Sequence, residues 1–185
     1  MANEFGHNSV GTELTQAEFE SNSLHKGGTE GYILASVGGV PVWVARDIGA
    51  RVYNNANISI PDATITTLTF NTERWDTDTI HEGVTNPARL TCKTAGKYII
   101  SANVRWAGNA TGLRILYLYY NGTDEIGKEV RVNLTTDAIS QTLTTIYELA
   151  VNDYVTIAVA QNSTGALDVT YTAKYSPDFM IQRVG

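Results

Sequence analysis

Ala95-Gly96-Lys97-Tyr98-Ile99-Ile100-Ser101-Ala102-Asn103-Val104-Arg105-Trp106 is the stretch whose reading decides the fold. Side chains of an extended strand alternate between two faces. That alternation puts Tyr98, Ile100, Ala102, Val104 and Trp106 on one face, and Ile99, Ser101, Asn103 and Arg105 on the other. Val155, Ile157 and Val159 alternate in the same way with Tyr154, Thr156, Ala158 and Ala160. Working outward, turn-separated strand candidates fall at 50–53, 57–60, 63–70, 88–93, 97–106, 113–120, 126–132, 139–149, 153–161, 168–175 and 178–184. No helical period competes over a comparable window. Asn121-Gly122 and Asn109-Ala110-Thr111-Gly112 supply turn chemistry. Such a run of short strands predicts an all-β, two-sheet sandwich or jelly roll over residues 50–185.

Composition agrees. The chain has 185 residues, of which 43% are hydrophobic and 17% charged, enough apolar material for a core and too little charge for a disordered polyelectrolyte. It holds 24 Thr and 14 Asn against 5 Lys. Thr is β-branched, packs well on a pleated surface and loses rotamer freedom in a helix. No charge-free stretch approaches a spanning helix, and residues 1–20 lack the basic-then-apolar order of a signal peptide. The expectation is neither membrane insertion nor Sec-type secretion. A single cysteine, Cys92, excludes intrachain disulfides and cysteine-built zinc sites.

The net charge is −6, with −4 in residues 1–49 and −2 in residues 50–185. Neither part has the basic stripe that phosphate neutralisation needs, which argues against a nucleic-acid partner.

Residues 1–49 read differently from the remainder. Thr15 and Glu18 have the spacing of a capping box, and Leu14 and Phe19 that of a hydrophobic staple, predicting a short helix over 15–22. After the breaker-rich Leu24–Gly28, Tyr32–Ser36 and Pro41–Ala45 flank Val37-Gly38-Gly39-Val40 and predict a β-hairpin. A lone hairpin is marginal in water, so this segment is expected to pack against a partner. It is read as a docking arm whose apolar contacts are Leu14, Phe19, Ile33, Leu34 and Trp43.

Residues 50–185 resemble the C1q-like domain of the C1q/tumour-necrosis-factor jelly-roll superfamily, in the form common in bacteria and their phages. The resemblance rests on Phe70-Asn71-Thr72-Glu73, Ala95–Val104, Tyr119-Tyr120-Asn121-Gly122, Leu149–Ile157 and Phe179-Met180-Ile181, in order along the chain. Where the family has Gly-Asp before its seventh long strand, this chain has Asn152-Asp153; Asn tolerates the same left-handed turn. The collagen stalk of the animal proteins is absent, since no Gly-X-Y run occurs. The leader's Gly31–Ser36 and Gly39–Trp43 look like a short hairpin unit of phage tail fibres and other virion proteins. The family resemblance implies a homotrimer whose three-fold axis is lined by one sheet. Tyr117, Tyr119 and Tyr120 either supply that interface, where aromatics are enriched, or belong to the subunit's own core. Alternation forbids Tyr119 and Tyr120 from both pointing inward.

Trp75-Asp76-Thr77-Asp78-Thr79-Ile80-His81-Glu82 is the densest polar cluster. Asp76 and Asp78 are weak candidates for a calcium-type cation, which prefers carboxylate oxygen, but the glycine of an EF-hand loop is missing. The competing reading is a solvated loop between strands. No cofactor is expected. Catalysis finds no support either: Cys92 has no His beside it in sequence, and no Gly-x-Ser-x-Gly, His-Glu-x-x-His or P-loop occurs. The expected function is therefore a non-enzymatic phage virion surface protein. It would be a trimeric capsid decoration protein docked through its arm on a major capsid protein or tail component. The alternative is the receptor-binding tip of a tail fibre, with Trp75, Asp76 and Asp78 contacting a host surface glycan or protein.

Overall fold

The computed structural model describes residues 32–37, 40–45 and 47–184, in two compact units divided between Asp47 and Ile48. The helix expected over 15–22, with Leu14 and Phe19, lies outside the described residues. In the first unit β1 (Tyr32–Val37) pairs antiparallel with β2 (Val40–Ala45), Leu34 opposite Trp43 and Ile33 opposite Val44. The hairpin forms because two β-rich runs flank Gly38-Gly39.

The second unit is a sandwich of two antiparallel sheets. Its strands begin with β3 (Gly49–Tyr53), β4 (Ile58–Ile60), β5 (Thr66–Thr67), β6 (Thr72–Asp76) and β7 (His81–Glu82). They continue with β8 (Asn86–Thr91), β9 (Gly96–Trp106), β10 (Leu113–Tyr120) and β11 (Asp124–Val132). The last are β12 (Ile139–Leu149), β13 (Tyr154–Gln161), β14 (Leu167–Val169) and β15 (Asp178–Arg183). One sheet runs β11-β10-β13-β8-β7, with β5 also on β13. In the other, β9 pairs with β12 along its whole length on one side. On its other side β9 meets β15 from Tyr98 to Asn103 and β14 at Trp106; β15 continues to β3 and β6.

The core lies between the sheets. Tyr98, Ile100, Ala102, Val104 and Trp106 are all buried, facing Leu116, Leu118, Val155, Ile157 and Val159 of the opposite sheet. Each large side chain removed from water contributes about 1.5–3 kcal/mol. One buried polar network fixes strand placement. The Trp106 indole donates to Gln141 Oε1 at 2.8 Å, while Gln141 Nε2 donates to the Glu129 and Arg114 carbonyls, joining both sheets at one edge.

The structure departs from the sequence reading in three places. Only Thr66–Thr67 of the 63–70 candidate is strand, because Ala63 takes a left-handed φ of 52° and Leu68 and Phe70 dive into the core. The 168–175 candidate ends at Val169, where the chain turns through Thr172 and Ser176 toward a cis Ser176–Pro177 bond. The cluster around Trp75, read as a loop, instead contributes β6 and β7.

β6 is held by a buried carboxylate. Asp178 on β15 accepts from Arg51 Nε of β3 at 2.9 Å and from Arg74 Nε of β6 at 3.0 Å, and is 1% exposed. Arg74 also donates to the Ala173 carbonyl and stacks on Tyr53. Three strands therefore share one anion. Replacing Asp178 with Ala leaves two guanidinium groups facing each other without it, and hydrogen bonds to charged groups are worth about 1.5–3 kcal/mol. Because both arginines keep some contact with water, the expected loss is about 2–3 kcal/mol. Urea unfolding of the full chain checks this: Asp178→Ala should lower the midpoint more than Arg51→Met, which leaves Arg74 in place.

Candidate functional site

The Trp75–Glu82 segment is built from within. Asp76 Oδ1 accepts the backbone N–H of Asp78 and Ile80, and Oδ2 accepts that of His81 at 2.8 Å. Asp78 Oδ2 accepts from the Thr94 hydroxyl at 2.9 Å. Both carboxylates are thus engaged by protein donors, the first as the anchor of a turn. Among the described residues no group of three His, Cys, Asp or Glu side chains is placed to hold a metal. Trp75 pairs opposite Arg51 and lies against Gly49, where an added Cβ would come within 2.9 Å of the indole.

Other reactive side chains are similarly absorbed. Cys92 is buried, with its thiol donating to the Thr94 carbonyl, and burial pushes its pKa up, away from a reactive thiolate. His81 is buried with Nδ1 3.0 Å from Glu73 Oε1, and its Nε2 faces the Pro87 carbonyl. Among the described residues the Cys92 thiol bonds to the Thr94 and Leu149 carbonyls and to no histidine.

The three tyrosines do not form one surface. Tyr117 and Tyr119 stack on each other, 5.7 Å apart, on the outward face of the β10 sheet with Ala158 and Ala160. Tyr117 is only 7% exposed, and the Lys128 ammonium sits over its ring. Tyr120 points the other way and meets Tyr147 of the facing sheet. Strand alternation is the reason: Tyr117 and Tyr119 lie on one face of β10 and Tyr120 on the other.

Two surfaces stand out. The first is the outward face of the sheet containing β9. Its middle is uncharged: Ile99, Ser101 and Asn103 of β9, Thr142, Thr144 and Ile146 of β12, and Met180 of β15. Its polar groups are paired within the chain, Ser101 Oγ with Thr144 Oγ1 at 2.9 Å and Thr142 Oγ1 to Asn103 Oδ1 at 2.6 Å. Ile146 is 61% exposed. Lys97 and Glu148 lie at one end of this face, and Arg105 and the Asp178 cluster at the other. The second row of the 97–106 alternation was its sequence signal, since Ile99 is apolar where a solvated strand would carry a polar residue.

The second surface is a cavity of about 450 Å³ on the opposite, outward face of the β10 sheet. Tyr119, Tyr154, Ile65, Thr67, Ala88, Thr156, Gly122 and Arg89 line it. The Arg89 guanidinium stacks 4.1 Å from the Tyr154 ring centroid. Gly122 has φ 80°, and a Cβ there would come within 2.7 Å of the Tyr154 hydroxyl, so glycine keeps this rim open. No sequence motif marks the cavity, because its walls come from four strands and a turn.

A clasp between turns sets the cavity's rim. Asn121 Nδ2 donates to Asp153 Oδ1 at 3.0 Å, while Asn121 Oδ1 accepts the Tyr154 N–H at 3.0 Å. Asp153 Oδ2 accepts the Ala150 N–H at 2.8 Å. Asn152 adopts φ 75°, the left-handed turn expected where the resemblance has glycine.

No protein-family model matches the chain, and no curated protein is similar to it in sequence. Solved structures are similar in shape. Murine APRIL matches with TM-score 0.56 and 9% identity, over 75% of this chain and 99% of that one. Eiger TNF from S. frugiperda matches with TM-score 0.57 and 11% identity, over 75% and 93%. The globular domain of zebrafish complement 1qA protein matches with TM-score 0.50 and 14% identity, over 73% and 93%.

The clasp carries a pH dependence. Burial acts to raise the Asp153 carboxyl, but hydrogen bonds from Asn121, the Ala150 amide and Tyr120 outweigh it and hold the group below the usual carboxylate value. A lowered folded-state pKa gives stability that is present above the unfolded value of about 3.9 and is lost as pH falls through the folded one. Urea midpoints at about pH 7 and about pH 3 should therefore differ less for Asp153→Asn than for the parent chain, whose larger acid loss includes this group. With the strand order, the core and these neighbours in hand, the chain has an all-β jelly-roll fold of the C1q/TNF type.

Proposed function

We propose that the chain is a non-enzymatic surface protein of a phage virion, a homotrimer that decorates the capsid and docks through its N-terminal arm. The observation that carries this reading is the uncharged middle of the β12-β9-β15 face. A surface depleted of charge at its centre and bordered by charge is the composition of an association interface. Its hydroxyl and amide groups are already paired inside the chain, so covering them leaves few donors unsatisfied. The jelly-roll fold, whose family resemblance implies a trimer about one sheet, supports three copies meeting there. The β1-β2 hairpin supports the arm, since a two-stranded hairpin is marginal in water by itself; the apolar Ile33, Leu34 and Trp43 of its sequence, with Leu14 and Phe19, are the contacts proposed for a partner. The other virion protein would be that partner.

A receptor-binding tip of a tail fibre is the second reading, and the cavity lined by Tyr119, Tyr154 and Arg89 is what favours it. Trp75, Asp76 and Asp78 are the other contacts of this reading; Asp76 also anchors a turn, and Asp78 accepts the Thr94 hydroxyl.

Light scattering of the full chain should give about three times its 20.1 kDa, and Ile146→Lys or Met180→Lys should return it to one. Mixed with particles lacking this protein, the parent chain should sediment with them while a chain shortened to residues 48–185 stays in solution. A monomeric parent chain, or equal sedimentation of both, would overturn the proposal.

A further inference from the structure

We infer that the cavity on the outward face of the β10 sheet is a binding site for an acidic saccharide, a pyranose carrying a carboxylate. The inference deepens the receptor-binding reading and rests on it for its biological use.

The argument begins with Arg89. Among the described residues its guanidinium has a ring contact with Tyr154 and no hydrogen-bond acceptor. Glu82, whose carboxyl feels the Arg89 charge, gives its own oxygens to Asn86 and Lys93 at 3.1 and 3.3 Å. A guanidinium held over an aromatic ring with no acceptor of its own keeps N–H groups available to a carboxylate that accepts two parallel bonds. The stack reduces the rotamer freedom that binding would otherwise remove.

The remaining walls select the rest of the ligand. Tyr119 and Tyr154 present aromatic surface, and the axial C–H bonds of a pyranose make a flat apolar face that packs on such a ring. Thr67 and Thr156 line the cavity with hydroxyls that neither donate to nor accept from any described residue, matching a polyhydroxylated ligand. The volume of about 450 Å³ falls within the range of small-molecule sites, about 300–1,000 Å³. A peptide is the poorer occupant, because β13 is already paired on both sides and offers no free edge to an extended chain.

The test is a titration of the full chain, followed by tyrosine ring resonances, with a glucuronate–glucose disaccharide and with its neutral glucose–glucose counterpart. The acidic probe should shift Tyr119 and Tyr154 and bind at least about tenfold more tightly than the neutral one. Arg89→Gln should remove that preference while leaving weak binding of both probes. Tyr119→Ala should weaken both, with melting temperatures confirming that each variant is folded. Equal binding of the two probes, or a preference that survives Arg89→Gln, overturns the acidic assignment and leaves a glycan receptor possible. Failure of both probes to bind overturns the saccharide site and removes the observation that favours the receptor-binding reading.

Discussion

Everything in the sandwich depends on β9 keeping its alternation while being paired on both sides. One row of its side chains is the middle of the core, and a slip of one residue would send Tyr98, Ile100 and Trp106 to the surface. Full-length pairing with β12 and pairing with β15 make that slip costly, since two ladders would have to move together. The same constraint decides what the opposite face can be. With one row committed to the core, Ile99, Ser101 and Asn103 must look outward, beside Thr144, Thr142 and Met180. The core and the candidate association face are two sides of one strand.

The long strands were legible because period-two patterning is a local property. Residues 97–106, 113–120 and 139–149 were read to within a residue of their ends, and the Asn121-Gly122 turn and the left-handed Asn152 follow from backbone chemistry alone. β6 and β7 were not legible, because their pairing is enforced from elsewhere. The Asp178 carboxylate, a hundred residues away in the chain, is what draws Arg74 and the strand carrying it against β3. Conversely, the run over 63–70 has strand-forming residues but crosses from β13 to β8, bonding Leu68 to Ile157 and Phe70 to Pro87. Tertiary demands override propensity there.

The candidate sites divide along the same line. The uncharged face was half visible, as the outward row of an alternation whose inward row drew attention. The cavity was invisible, since Arg89 and Tyr154 meet only through the β8-β13 pairing. The acidic turn at Asp76 shows the reverse: of two carboxylates close enough in sequence to resemble ligands, Asp76 accepts three backbone N–H groups and Asp78 accepts the Thr94 hydroxyl. Polar clusters in a Thr- and Asn-rich β protein have many local donors to satisfy, and turn-making is their commonest use.

The central claim is that the two outward faces do different work, the β12-β9-β15 face meeting other copies and the β10 face remaining open. Hydroxyl-radical footprinting of the full chain across a concentration series tests it most directly. The account predicts that Met180, Ile146 and Ile99 lose reactivity as assembly proceeds while Tyr119 and Tyr154 keep theirs. Protection of Tyr119 and Tyr154 with Met180 and Ile146 unchanged would contradict it.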